Sequence, residues 1–313
     1  MEPKKTVLDA IIIGGGPAGL SAALWCQDLG LKAILFEGKT ELGGQLLWTH
    51  NPIENYIGLK AANGRELRDR LVDHVDSIGA STIIDTAVSG VDLKNKVVTF
   101  NDGRGYESRG IIIATGVRRR ILGVPGEAEF KGRGVLDSGV RHKDDVAGKN
   151  VVIVGGGDAA VENAVLLSEQ AKSVVVIHRR KDFSARAEFL NRARCIRKIR
   201  FMPQSEVRAI GGREAVASVD VTHLDTRRMS VIEADAVLIR IGVIPNTENF
   251  KGHLKLDAKG YIIVDSSAAT SEPGVFAAGD VSSPTSPTIS TAVGMGATAA
   301  KALNALLNRT ESM

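Results

Sequence analysis

Residues 8–39 read LDAIIIGGGPAGLSAALWCQDLGLKAILFEGK. An apolar run stops at glycines, a pattern of small and apolar residues with helical character follows, and a second apolar run closes on Glu37. Short apolar runs bounded by glycine are strands, so the stretch reads strand, turn, helix, strand. Gly14, Gly16 and Gly19 have G-x-G-x-x-G spacing, and each has its own task. Gly14 permits the tight turn, Gly16 lets a pyrophosphate reach the backbone, and Gly19 lets helix and strand pack closely. The helix N-terminus favours phosphate, and Glu37 stands where an acid accepts a hydrogen bond from a ribose hydroxyl.

Residues 150–182, NVVIVGGGDAAVENAVLLSEQAKSVVVIHRRKD, repeat the pattern with Gly155, Gly157 and Ala160. The step that leads from Gly19 to Glu37 leads here from Ala160 to His178, followed by Arg179 and Arg180. An acid at that place suits a ribose with free hydroxyls, whereas arginines present guanidinium forks to a 2′-phosphate. The second site is expected to prefer NADPH to NADH; a solvated basic strand end is the alternative. The chain is therefore α/β, with two Rossmann-like dinucleotide-binding domains, one for FAD and one for NADPH. GIIIATGVRR (residues 110–119) ends a strand in the small-residue turn Ala114, Thr115, Gly116. PGVFAAGDV (residues 273–281) ends another in Gly279 and Asp280. Asp280 would accept hydrogen bonds from ribityl hydroxyls at the sheet edge, a role compatible with capping a helix.

A chain of 313 residues, 43% hydrophobic and 24% charged, is long enough for two globular domains. Its 34 glycines cluster at strand-to-helix junctions, which suits close approach to ligands rather than a disordered linker. The net charge of +4 is mild, and no interleaving of basic and aromatic residues points to nucleic acid. The opening MEPKKTVLDAIIIGGG is too short in its apolar part for a signal peptide or a membrane span, so no membrane span and a cytoplasmic location are expected. Cys26 and Cys195 lie far apart in sequence, which gives no disulfide framework and no metal site and fits a reducing compartment.

GGGPAGLSAAL, GGQL, ENYIG, IIIATG, GGGDAAVENA, VVIHRRKDF, IGVIPNT and PGVFAAGDV together resemble, in order, the motifs of the low-molecular-weight thioredoxin reductase family of flavoproteins. The resemblance covers nearly the whole chain. It implies three-layer ββα domains, with an FAD-binding domain of residues 1–119 and 249–313 interrupted by an NAD(P)H-binding domain of residues 120–248, and a homodimer. For FAD it implies contacts from Pro17, Ala18, Gly44, Gln45, Leu46, Asn55, Val88, Thr288 and Ile289 beside Gly14, Gly16, Gly19, Glu37, the Ala114 turn, Gly279 and Asp280. Trp48 would pack or stack near the flavin. For NADPH it implies Gly155, Gly157, Asp158, Ala159, Ala160, His178, Arg179, Arg180, Arg186, Ile241 and Gly242.

The chain departs from the family at three places. Ser138 and Arg141 stand where the family has its redox-active Cys-x-x-Cys, and His142 stands where it has an acid/base Asp. Thiol–disulfide exchange requires a thiolate attacking a disulfide, so no dithiol relay is expected here, and no reduction of thioredoxin with NADPH. Ser184 replaces a third phosphate-binding arginine, with Arg186 two residues on, which weakens the NADP preference. Pro287 and Thr288 occupy the place of an Arg-Gln pair that contacts FAD. Ferredoxin/flavodoxin–NADP reductases of thioredoxin-reductase type also lack the dithiol, and KDDVAGKNVVIVGGG (residues 143–157) is similar to their approach to the second strand; this chain leaves little room for their C-terminal extension.

These features predict an FAD-dependent, NADPH-linked oxidoreductase with an external acceptor: an acidic ferredoxin or flavodoxin first, a quinone or small oxidant next. The basic stretches at residues 117–120 and 192–200 point to an acidic carrier, with solvated faces as the alternative. Ser138 would face the flavin, Arg141 would place positive charge beside it, and His142 would donate a proton. One alternative is a disulfide reductase whose thiols come from the substrate or partner, Arg141 and His142 stabilising a thiolate. Another is a non-catalytic flavin-binding redox sensor, against which the intact second nucleotide site argues.

Overall fold

Side-chain alternation along β1 (Leu8–Ile13) sets up the first unit. Ala10 and Ile12 pack on one face and Ile11 and Ile13 on the other, and both faces are buried. A strand covered on both sides suits the middle of a parallel sheet. The computed structural model describes residues 7–282 and 286–311; residues 1–6, read above for a leader, residues 283–285, shortly before Pro287 and Thr288, and residues 312–313 lie outside them.

From β1 the chain runs through α1 (Pro17–Asp28), β2 (Ala33–Phe36), α2 (Gly64–Ser77), β3 (Ser81–Ile83), β4 (Val88–Asp92), β5 (Val97–Phe100), β6 (Gly105–Ile113) and the short β7 (Val117–Arg119). β3, β2, β1 and β6 pair in parallel. β6 serves two ladders. Its first half pairs antiparallel with β5, and residues 110–113 pair parallel with residues 10–13. The β4–β5 hairpin thereby supplies a second β-layer, with Phe36 stacked on Phe100 at 4.1 Å between ring centroids. Each fully buried Ile or Phe of this layer contributes roughly 1.5–3 kcal/mol by leaving water.

The chain enters a second unit through β8 (Val135–Leu136), β9 (Asn150–Val154), α3 (Asp158–Ser168), β10 (Ser173–Ile177), α4 (Ala187–Arg194), β11 (Ile199–Met202), β12 (Ser205–Gly212), β13 (Val216–His223), β14 (Met229–Glu233) and β15 (Ala236–Ile239). The same alternation recurs. Val151 and Ile153 face the helices, while Val152 and Val154 face the antiparallel β12–β13–β14 meander. The parallel order β11-β10-β9-β15-β8 brings the ends of β9, β15 and β8 side by side.

The chain then returns through β16 (Val243–Pro245), β17 (Val275–Ala277) and α5 (Ile289–Glu311) to complete the first unit. β17 adds to β6 in parallel. α5 lies close on α1 because Gly296 has no side chain: a Cβ there would stand 2.2 Å from the Ala18 carbonyl oxygen. Ser21 Oγ donates to the Val293 carbonyl at 2.7 Å across the same contact. One unit is Met1–Arg118 with Ile244–Met313, the other Arg119–Val243, so the return falls at Ile244 rather than at residue 249.

Candidate functional site

β1 ends at Ile13, and Gly14 turns the chain into α1 with φ +106°, its N–H donating to the Phe36 carbonyl at 2.8 Å. A Cβ on Gly14 would lie 2.4 Å from Ala114 O, and one on Gly19 would lie 1.8 Å from Gly14 O. Both glycines are thus required by packing. Gly16 differs: a Cβ there would meet its nearest protein atom only at 3.8 Å. That room opens on a cavity of about 530 Å³ lined by Gly14, Gly16, Glu37, the Ala114 turn and Asp280.

The polar groups of the wall are held in place. Glu37 Oε2 accepts from Gly15 N–H at 2.7 Å and Oε1 from Lys39 N–H at 2.9 Å, which fixes the carboxylate at the end of β2. Gln45 Nε2 donates to Val117 O at 2.6 Å, and among the described residues its oxygen accepts no hydrogen bond. Asn246 Nδ2 donates to Thr115 O at 2.7 Å while Thr115 Oγ1 donates to Asn246 O at 2.8 Å, so the two segments lock each other. Thr288 Oγ1 accepts from Thr291 N–H at 3.1 Å and caps the start of α5. Asp280 is the exception. Among the described residues its carboxyl has no hydrogen-bond partner, and burial pushes its pKa up. A half-buried acceptor with no protein donor among the described residues suits a ligand rich in hydroxyls.

These observations fit FAD. Open space at Gly16 and the α1 N-terminus match a pyrophosphate, Glu37 matches a ribose, and Asp280 matches a ribityl chain. Pro17, Ala18, Gly44, Gln45, Leu46, Val88, Gly279, Thr288 and Ile289 also line the cavity, with Pro287 beside Thr288. Asn55 is exposed and Trp48 is 44% exposed; neither is among the lining residues, and the Lys39 ammonium lies 6.0 Å from the Trp48 ring centroid. Sequence reasoning missed Thr86 and the segment at residues 246–250, part of which lines the cavity. Asp280 sits in a short 3₁₀ turn, Gly279–Val281, and does not cap α5.

The second loop repeats the first in its backbone. Gly155 N–H donates to Ile177 O at 2.9 Å, and a Cβ on Gly155 would lie 2.1 Å from Arg240 O. Gly157 is open, its would-be Cβ 3.8 Å from Ser184 Oγ. His178 lies over Gly156, its ring 2.4 Å from where a Cβ would be, and packs on Phe183 at 5.0 Å. Burial lowers its pKa, and among the described residues its buried Nε2 has no hydrogen-bond partner. Arg179 and Arg180 are exposed, and neither side chain makes a hydrogen bond or ion pair among the described residues. Arg186 is committed elsewhere. Its backbone N–H and Nε donate to Asp158 at 2.7 and 2.9 Å, it pairs with Glu188 at 3.1 Å, and it stacks on Phe189. Ala159 and Ala160 form the first turn of α3, and Ile241 and Gly242 follow Arg240 beyond β15.

Residues 137–145, where the family's dithiol would stand, form an internally bonded loop. Ser138 is buried and its Oγ accepts from Arg141 N–H at 3.4 Å. His142 reaches Asp145 through Nδ1 at 2.7 Å and Asp137 through Nε2 at 2.8 Å, while Arg141 donates to the other Asp137 oxygen at 3.3 Å. Both ring nitrogens of His142 are therefore engaged within the loop. The two cysteines are free thiols. Cys26 is buried in the first unit and Cys195 exposed in the second.

A cavity fitted to FAD and a second dinucleotide loop define a nucleotide-dependent flavoprotein oxidoreductase, and the comparisons specify which. Residues 8–296 match the pyridine nucleotide-disulphide oxidoreductase family, to which this chain belongs. The thioredoxin reductase of Streptomyces coelicolor is 38% identical over 302 residues, covering 94% of this chain and 92% of the relative. That of Mycolicibacterium smegmatis is 37% identical over 302 residues, covering 96% of each. The crystal structure of Lactococcus lactis thioredoxin reductase matches with a TM-score of 0.83 at 32% identity, covering 96% of this chain and 99% of that one. The protein is a thioredoxin reductase-like oxidoreductase that uses FAD and NADPH. Among the described residues no helix is long and apolar enough to cross a membrane.

Proposed function

We propose that this flavoenzyme passes the electrons of NADPH to a disulfide supplied from outside the chain, both thiols of the product belonging to the substrate or partner. In balance, NADPH and one proton convert one disulfide into NADP⁺ and two thiols. FAD, when bound, supplies the carrier that takes hydride from the nicotinamide and hands on two electrons. The chain's own residues bind and orient. Gly16 and the start of α1 would receive the FAD pyrophosphate, with Glu37 and Asp280 on its hydroxyls. Gly155 and Gly157 would hold NADPH, with Arg179 and Arg180 on its 2′-phosphate. The loop at residues 138–142 would meet the acceptor.

The carrying observation is the combination of a disulfide-oxidoreductase family with Ser138 and Arg141 where a dithiol would stand. Cys26 offers no replacement, because burial first and the nearby Asp9 charge second push its thiol up to about 12. Sequence reasoning alone places a ferredoxin or flavodoxin first. The names of the relatives move a disulfide ahead of it and keep the disulfide of thioredoxin among the acceptors to be tried. The acidic carrier remains as a second reading because Arg192, Arg194, Arg197 and Arg200 are all exposed on and after α4. The cytoplasm is the compartment we assign.

The test is anaerobic reduction of the yellow protein by NADPH, followed by addition of thioredoxin disulfide, small disulfides, ferredoxin or flavodoxin. Turnover with a disulfide supports the proposal. Turnover with ferredoxin or flavodoxin alone would replace it with the second reading, and a flavin that NADPH never bleaches would replace it with the sensor.

A further inference from the structure

The strongest unassigned feature lies within the second unit, at the carboxyl ends of β15 and β8. Arg240 follows the last residue of β15 and Asp137 follows the last residue of β8. Arg240 donates from one terminal nitrogen to Asp137 O at 3.1 Å and from the other to Ile239 O at 2.9 Å. Arg119 donates to the same Asp137 carbonyl oxygen. One backbone oxygen thus holds two guanidinium groups together. Among the described residues neither forms an ion pair; the Asp137 carboxylate, which pairs with Arg141 and His142, acts on both only as a nearby charge. Arg119 is exposed and Arg240 half-buried. Burial, with the Arg119 charge adding to it and Asp137 opposing, holds Arg240 down at about 10.

Two adjacent guanidinium groups repel, and a nearby anion relieves the repulsion. Each retains N–H donors in a planar fork suited to an oxyanion. The place is also where ligands collect in open α/β sheets, outside the carboxyl ends of the strands. Asp137 directly precedes Ser138, so the fork borders the loop that the proposed function gives to the acceptor.

We propose that Arg119 and Arg240 form an oxyanion-binding site for a carboxylate carried by the disulfide acceptor, which makes an anionic disulfide the preferred substrate class. This rests on the disulfide reading above. An oxyanion could also come from the pyrophosphate of NADPH, since Arg240 O packs against Gly155, and the experiment separates the two.

The FAD-loaded protein is assayed anaerobically with NADPH on 3,3′-dithiodipropionate, which carries two carboxylates, and on neutral 2-hydroxyethyl disulfide. The expected result is a kcat/KM preference for the dicarboxylate that falls about tenfold or more in Arg240→Gln and again in Arg119→Gln, with Arg240→Lys between, as charge-assisted bonds are lost. The Kd for NADPH stays within about twofold, as it should where no phosphate contact is lost. FAD content of each variant checks folding. A preference unchanged in both Gln variants would overturn the site, as would a weakened NADPH Kd with an unchanged preference, which would give the anion to the nucleotide. Calorimetric titration of the oxidised holoprotein with 3,3′-dithiodipropionate keeps the two proposals apart. Binding lost in Arg240→Gln upholds the site even if neither disulfide is turned over, and no binding to the wild type overturns it.

Discussion

The glycine loops at Gly14 and Gly155 are near copies in backbone and opposites in what surrounds them. Each first glycine donates its N–H to the last carbonyl of the second strand, Phe36 in one and Ile177 in the other. Each is pressed against a carbonyl across the sheet, Ala114 in the first unit and Arg240 in the second. At those matched places the first unit has a small side chain beside a cavity, and the second has an arginine. Beyond the second strand the first unit has Glu37, and the second has His178 with Arg179 and Arg180. Glycine fixes the turn, and the residues facing it differ in size and charge between the two units. A dinucleotide fold therefore says little about which nucleotide binds until those positions are read.

The largest effect expected from this comparison comes from filling the open glycine of each loop. Gly16→Leu should purify without FAD, because the added side chain enters the space left for the pyrophosphate; Gly157→Leu should keep FAD and lose NADPH binding. Flavin content and a nucleotide titration measure the pair, and loss of both cofactors in either variant would show that the loops are not independent.

Next in size is the contrast at the end of the second strand. Arg179→Ala and Arg180→Ala should each cost on the order of 1.5–3 kcal/mol in NADPH binding, about tenfold to 100-fold in Kd, with NADH little changed. Equal losses for the two nucleotides would mean that the arginines act on structure. Arg186→Ala should disturb α3 through Asp158 and leave the NADPH-to-NADH ratio near its wild-type value.

The smallest effect concerns Asp280, whose folded-state pKa is raised by burial. A carboxyl with a raised folded pKa favours folding below its unfolded pKa and loses that contribution as pH rises through the folded value. In FAD-stripped protein, Asp280→Asn should therefore raise the melting temperature at neutral pH, and the gain should vanish in acid where Asp280 is protonated in both states. FAD affinity should fall in the same variant. A gain equal at both pH values would remove the burial argument.

What was legible in the sequence rested on short, fixed spacings. Gly14, Gly16, Gly19 and Glu37 declare a ribose and a pyrophosphate within one βα unit, and Gly279 with Asp280 ends an apolar run at the sheet edge. What was not legible joins distant segments. Asn246 braces Thr115 from 131 residues away, and Arg240 meets Asp137 from 103 residues away. No local period marks such contacts, because the sheet order alone creates them. Arg186 shows a local contact that the motif did not announce: it stands near the phosphate motif, and its guanidinium pairs with Asp158.

The central claim is that electrons leave the reduced protein without passing through a cysteine of this chain. The direct measurement is anaerobic NADPH-dependent disulfide reduction by the Cys26→Ala, Cys195→Ala double variant, with FAD content and the rate of flavin bleaching followed in the same samples. Turnover within about twofold of wild type is the predicted result, since a group off the electron route removes no transition-state interaction. Normal bleaching by NADPH with disulfide turnover abolished would contradict it, for it would place one of these thiols on the route.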